Sequence, residues 1–407
     1  MHFTQPATPR RASNGLSRQC NYHSLGSVES SAYAGSNLNT VSIDVGPATS
    51  PAPGTARYVL EQSRHLLMLD VPWNWKILVD STENPIFQEF EHLNRVVVPG
   101  KSLWWRATFF LQQAARGSDL VFSPAYFVPL SGPPVVSNFF DSNIYEHFGT
   151  WVSSGRLTNA LLIRLLCDFA IYRSRKLFVL SDYCATYLRR KFPRARSKFV
   201  VTPSGCPIPL ACPARHHPKW ASGLNTPFLL YVGAFSENKN QRRLIEAYVK
   251  IQKSRSDLPP LVVIGPCPLD FMASAIAPAI KASPVPDKII VPGRVTDADL
   301  AWAYTNALAY IQPSIAEGFG LPVVEAMSYG LPVACSNTTS LPETAGGAAL
   351  LFDPFSTPSI SEAIHLMVSD APLRQKLKDL GTTRWRQFTW RTNANLVASE
   401  IGKILYK

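Results

Sequence analysis

One stretch constrains this chain more than any other: Pro313-Ser314-Ile315-Ala316-Glu317-Gly318-Phe319-Gly320-Leu321-Pro322-Val323-Val324-Glu325-Ala326-Met327. It sets two carboxylates eight positions apart around a Gly-Phe-Gly turn. The preceding Ala309-Tyr310-Ile311-Gln312 reads as a strand, and Pro322 stands where a helix would begin, a position at which its missing N–H costs nothing. The turn therefore opens a helix. Small residues at 318 and 320 let the backbone approach a ligand closely, and the unpaired amides and positive dipole end of the helix suit a phosphate. Glu325 falls one turn into that helix and Glu317 on its strand-side lip, so that both can face one cavity. A lone Gly-x-Gly would be an ordinary strand-turn-helix with surface carboxylates; the longer string reads as a sugar-nucleotide site.

The same alternation runs through the C-terminal half. Phe228-Leu229-Leu230-Tyr231-Val232-Gly233-Ala234 reads as a buried strand ending in a glycine, followed by a helix with apolar Leu244, Ile245, Tyr248 and Val249. Lys239, just before that helix, is disfavoured by the helix dipole unless an anion is near. Leu261 to Gly265 and Ile289 to Gly293 are further β-rich runs ending in glycine. Thr296-Asp297-Ala298-Asp299 opens a helix with a box-like cap. Gly330-Leu331-Pro332 ends the helix after the turn, and Val333 to Ser336 is another strand. Strands alternating with helices imply a doubly wound parallel sheet with ligands at the C-terminal ends of its strands, where all these motif residues fall.

The N-terminal half repeats the pattern more faintly. Candidate strands are Val41 to Val45, Trp75 to Asp80, Arg95 to Val98, Leu120 to Ser123, Pro134 to Phe139, Lys176 to Leu180 and Lys198 to Val201. A helix led by Ser181 carries Tyr183, Tyr187 and Leu188 on its apolar side. With 407 residues, 46% of them hydrophobic, the chain can build two ordinary cores.

The string Glu-Gly-Phe-Gly-Leu-Pro-x-x-Glu-Ala-Met resembles the Glu-x7-Glu signature of the family 4 (group 1) retaining glycosyltransferases. The resemblance implies an α/β fold of GT-B architecture, two Rossmann-like doubly wound parallel-sheet domains facing a central cleft. It gives Glu317 the hydroxyls of the donor sugar, Glu325 the nucleotide ribose, and the amides of Gly318, Phe319, Gly320 and Leu321 the sugar and diphosphate. Lys239 matches the lysine that neutralises the diphosphate, with Gly233 closing the first strand of the nucleotide domain. Gly54-Thr55-Ala56-Arg57-Tyr58 resembles the family's Gly-x-Gly-Arg-Tyr helix start, with Ala56 at the third position; Gly54 and Arg57 become cleft or acceptor contacts. Two departures stand out. Where many relatives have an arginine before the lysine, this chain has Asn238; where they end a strand in His-Asp, it has Phe140-Asp141, and phenylalanine carries no proton. Arg242 and Arg243 in the next turn are candidates for the missing cation, with an exposed helix face as the plainer reading. Asp141 is a candidate acceptor or cleft contact, with a turn role as the plainer reading, and His147, six residues beyond Asp141, is a poor replacement for the histidine.

The implied layout is a disordered extension over 1–39, an acceptor domain over 40–215, a linker over 216–226, a nucleotide-sugar domain over 227–381, and a C-terminal helix from Thr382 to Leu405 crossing back to the first domain. The implied function is metal-independent transfer of a hexose, mannose by analogy, from a nucleoside-diphosphate sugar to a glycan or lipid-linked acceptor, with no further cofactor. A catalytically inactive sugar-nucleotide-binding homologue is the alternative. No apolar run reaches membrane-spanning length: Leu157 to Leu180 is broken by Arg164, Asp168 and the Arg173 to Lys176 cluster. Seven cysteines without metal-ligand spacing argue against a disulfide scaffold and a zinc site, and for a reducing, cytoplasmic compartment. Basic runs of a chain with formal net charge +12 gather in the N-terminal half, notably Arg189 to Arg196, and the lipid-linked acceptors that the resemblance implies would make this half a peripheral contact with an anionic membrane surface. Trp104-Trp105 fit such a contact or a buried core equally well. No nucleic-acid-binding module is recognisable.

Overall fold

The computed structural model describes residues 38–49, 53–81, 93–98, 111–140, 142–146, 157–212, 216–224, 226–255 and 257–407. The expected extension therefore lies almost wholly outside the described residues, as do Trp104, Trp105, Asp141 and His147.

Among the described residues, two separate parallel sheets carry the fold. The first comprises β1 (Thr40–Asp44), β2 (Asn74–Val79), β3 (Asn94–Val97), β4 (Leu120–Ser123), β5 (Val135–Phe139), β6 (Lys176–Val179) and β7 (Phe199–Val201), in the order β3-β2-β1-β4-β5-β6-β7. The second comprises β8 (Leu229–Val232), β9 (Leu261–Ile264), β10 (Ile289–Gly293), β11 (Ala309–Gln312), β12 (Val333–Ser336) and β13 (Ala349–Phe352), in the order β10-β9-β8-β11-β12-β13. Strands β4, β9, β11 and β12 are buried at every residue, as strands covered by helices on both faces must be. In each sheet the order reverses beside the first strand, between β1 and β4 and between β8 and β11, and the crevice outside the strand ends opens there.

The helices that matter for the site are α1 (Pro53–Leu67), α2 (Leu157–Arg173), α3 (Asp182–Lys191), α4 (Gln241–Gln252), α5 (Asp297–Asn306), α6 (Leu321–Ser328), α7 (Leu341–Ala345), α8 (Thr357–Ser369), α9 (Ala371–Arg384) and α10 (Trp390–Leu405). Thr296 caps α5 in the box read from the sequence. The single helix expected from Thr382 to Leu405 is instead two helices joined by a 3-10 turn, Trp385–Gln387. Phe388 leaves helical geometry (φ −105°, ψ 85°) and packs its ring edge-on against Phe319, and Thr389 then caps α10 by accepting from Thr392 N–H at 3.1 Å. Ala394, Val397 and Ile401 of α10 are fully buried in the core of the first sheet with Val59 and Leu66 of α1. The chain thus crosses between the two sheets twice, once between β7 and β8 and once before α10.

Of the glycines that end β-rich runs in the sequence, Gly265 sits where two backbones meet at the sheet edge. Gly265 has φ 151°, and a Cβ there would lie 2.0 Å from the carbonyl oxygen of Gly233, a backbone atom that cannot swing aside. Gly265→Ala is expected to destabilise the second domain by about 2–3 kcal/mol. Chemical denaturation, read separately from Gly54→Ala, where no atom lies within 4 Å, tests this.

Candidate active site

Strand β11 delivers Gln312 to the sheet edge, and the chain then turns through Glu317 and Gly318 into α6. Gly320 makes the turn possible: it holds φ 89°, a left-handed conformation, at the N-cap of α6. Leu321 is the first helical residue and Pro322 the second, so the helix starts one position earlier than the proline suggested.

Glu317 is almost wholly buried, and its carboxylate is fully engaged. Oε1 accepts from Gln312 Nε2 at 2.9 Å and Ser314 Oγ at 2.8 Å, while Lys239 Nζ lies 2.7 Å from both oxygens. A buried carboxylate is stable only with such partners. Lys239 reaches it because Asn240 takes a left-handed φ of 61° and anchors its side-chain amide to the carbonyls of Pro313 and Pro354. Ile315 N–H also donates to Asn238 O at 2.8 Å, tying the two loops together. The anion that the helix dipole demanded beside Lys239 is thus Glu317.

Glu325 binds elsewhere. Its Oε1 accepts from Arg57 Nη1 of α1 at 2.9 Å, across the cleft, and its Oε2 from Tyr304 OH at 3.3 Å. Burial works to lower the Arg57 guanidinium pKa, but the carboxylates of Glu325, Asp297 and Glu61 together raise it. Burial and then the Glu325 charge push the Tyr304 hydroxyl well up, so it stays a donor. A small cavity beside this pair is lined by Arg57, Leu210, Asp297, Tyr304, Glu325 and Tyr329; Glu317 does not line it. After the left-handed step at Gly320, the Glu317 carboxylate faces Lys239 and that of Glu325 faces α1 and α5.

Phe319 buries its ring between the domains with Phe388, Trp390, Tyr58 and Val324, with Leu321 packed against them, so only the backbone of Phe319 is left for a ligand. Gly233 is half-buried at the end of β8, and Gly54 is exposed at the start of α1. Phe140 packs edge-on against Tyr58 at 5.1 Å. Arg242 pairs with Glu246 on the exposed face of α4, and Arg243 donates to Asn240 and Pro354. Among the described residues no group of three His, Cys, Asp or Glu side chains is arranged to hold a metal ion. Gln312, Ser314 and Tyr304 were not singled out in the sequence; polar Gln312 closing an otherwise apolar strand was the available signal.

Cys206, buried beside this site, has its thiol pushed up to about 12 by burial and by the Glu325 carboxylate. Burial alone pushes Cys335 to about 12. Both should alkylate at least about tenfold more slowly at pH 8 in the native protein than in denaturant, because the thiolate is the nucleophile. Mass-resolved alkylation kinetics test this. Replacing Arg57 and Glu325 by Ala singly and together should give a coupling energy of about 1–3 kcal/mol, since the two side chains are only 24% and 11% exposed. Equilibrium denaturation of the four proteins provides the measurement.

Residues 214–384 match the family model described as "Glycosyl transferases group 1". The chain is 30% identical over 226 residues to the O-antigen chain mannosyltransferase B of Escherichia coli, covering 53% of this chain and 58% of that protein. It spans less than two thirds of the length of the first curated relatives it matches. Its fold is similar to that of sucrose-phosphate synthase from Thermosynechococcus elongatus, with a TM-score of 0.70 at 18% identity over 90% of this chain and 99% of that one. It is also similar to Anabaena Alr3699/HepE in complex with UDP and glucose, with a TM-score of 0.65 at 16% identity over 90% and 100% of the two chains. Residues 214–384 of this chain are therefore similar to the group 1 glycosyl transferases, and the described residues have the two-domain GT-B fold.

Proposed function

We propose that the chain transfers a hexose, of mannose type, from a nucleoside-diphosphate sugar to a glycan or lipid-linked acceptor, with retention of anomeric configuration and without a metal ion. The observation that carries this reading is the pair of cation–carboxylate contacts, Lys239–Glu317 and Arg57–Glu325, on either side of one glycine turn at the mouth of the second sheet. Such a site offers what a nucleotide sugar asks for: carboxylates for hydroxyls, a cation and helix amides for phosphates. In this reading Glu317 accepts hydrogen bonds from the donor sugar, Glu325 from the ribose, and Lys239 turns to the diphosphate as charge builds on the leaving oxygens. The amides of Gly318 to Leu321 face the same group. Glu317 positions the donor and does not attack the anomeric carbon; retention then follows from attack on the face the nucleotide leaves. The mannosyl assignment is supported by the name of the E. coli relative, and a diphosphate donor by the UDP and glucose in the Anabaena complex.

The acceptor end of the reading rests on the first domain. Leu161, Leu165 and Tyr172 are exposed along one face of α2, and Lys198 donates to the carbonyls of Ile171 and Tyr172 at its end. An apolar stripe beside basic residues suits the surface of an anionic membrane carrying a lipid-linked acceptor, at its cytoplasmic face. No helix of the described residues is long and apolar enough to cross a membrane.

One observation favours a second reading, that of a sugar-nucleotide-binding homologue without turnover: Phe140 packs against Tyr58 where the resembled family has a histidine, and Asn238 replaces an arginine. Turnover separates the two. A panel of nucleotide sugars is expected to raise the melting temperature with one donor only, an effect lost in Glu325→Ala. Nucleotide release should require added membrane lipid extract. Lys239→Ala should lower kcat by about 10²–10³-fold. Binding without release under any acceptor would leave the homologue reading, and no binding by any donor would sink both.

A further inference from the structure

Three successive carbonyls of the glycine turn are each taken by a hydroxyl. Ser340 Oγ donates to Glu317 O at 2.9 Å, Ser181 Oγ to Gly318 O at 2.9 Å, and Thr344 Oγ1 to Phe319 O at 2.5 Å. The outer two hydroxyls come from α7 and the residue before it, within the same domain. The middle one comes from the other domain, from the N-cap of α3, where Ser181 Oγ also accepts from Cys184 N–H at 3.3 Å. Cys184 Sγ lies 3.6 Å from the same Gly318 carbonyl.

A reciprocal contact runs back across the cleft. Glu343, on α7, places one carboxylate oxygen 2.8 Å from Asp182 N and the other 3.1 Å from Tyr183 N, so that it accepts both of these first amides of α3. Those amides have no partner within their own helix, and a carboxylate at a helix N-terminus is also favoured by the dipole. The backbone of α7 is held for this by Arg384, which donates to the carbonyls of Glu343 and Thr344.

We infer that Ser181 and Glu343 are positioning residues that couple closure of the two domains to the conformation of the glycine turn, a role that rests on the reading of that turn as the donor site. The peptide unit is planar, so fixing Gly318 O also fixes the direction of Phe319 N–H, one of the amides assigned to the donor. The Ser181 bond forms only when α3 stands over the turn, and Glu343 holds α3 there. Opening the cleft breaks both contacts and frees the middle peptide of the turn, while Ser340 and Thr344 keep its two neighbours in place. Donor amides are then fully aligned only in the closed form, which is the form that excludes water from the transfer.

The test compares Ser181→Ala, Glu343→Ala and Glu343→Gln with the parent. Small-angle scattering, alone and with UDP or GDP, reads closure; amide hydrogen exchange over 317–321 reads the turn; kinetics read its use. Glu343→Ala is expected to have a larger radius of gyration than the parent, and Glu343→Gln, which keeps one acceptor, a value nearer the parent. Exchange over 317–321 should rise in Ser181→Ala and Glu343→Ala while exchange in β11 stays at the parent level. Transfer should lose about tenfold in kcat with donor KM within about threefold, partly restored in Glu343→Gln. Scattering and turn exchange equal to the parent in Glu343→Ala would overturn the inference, as would a rise in exchange across the whole second domain. If the parent binds no nucleotide sugar yet Glu343→Ala still opens the cleft and loosens the turn, the coupling stands and the donor reading fails.

Discussion

The buried amide of Asn393 is the joint on which the two-domain arrangement depends. It stands on α10, yet it donates to Tyr58 OH of α1 and to the carbonyls of Thr202 and Pro203 beyond β7, and accepts from Gln62 Nε2 at 2.8 Å. Gln62 in turn accepts from Asn138 Nδ2 of β5 at 2.6 Å. A buried polar network of this kind favours a single arrangement, because each unmade bond would leave a desolvated group. The Asn393 amide is satisfied only when the last helix lies on the first domain, and so the chain must cross between the sheets a second time. That crossing brings Phe388 and Trp390 against Phe319, Tyr58 and Val324, and it sets the width of the cleft.

Within the cleft, charge balance does the rest. Glu317 and Glu325 are both about nine-tenths buried, and each is matched by one cation, Lys239 from its own domain and Arg57 from the other. Neither carboxylate would tolerate burial alone. The hydroxyls of Ser340, Ser181 and Thr344 on the turn carbonyls keep the backbone between the two carboxylates in place.

Much of the second domain was legible because its signals are local. The strand ending in Gln312, the turn through Gly320 and the capping box at Thr296 each follow from neighbours a few residues apart. In the first domain, strands read from apolar runs lie within about one residue of where they form, since buried parallel strands are nearly all apolar. The break between α9 and α10 was missed: Trp385 to Thr389 has no proline or glycine, and what ends the helix is a ring packed on Phe319. The division of the two carboxylates between different cations was missed for a similar reason, since it depends on the direction the chain takes after Gly320.

By itself, then, the sequence determined the alternation of strands and helices, the glycine turn at the mouth of β11, and the residue types gathered there, because short-range periodicity and backbone sterics act within a few residues. Only the tertiary structure decided that Arg57 meets Glu325 across 268 positions, that Ser181 holds Gly318 and that Glu343 caps α3. Those contacts join elements from opposite domains. Their geometry is set by how the two sheets are pinned together, and no local pattern of residues encodes that distance.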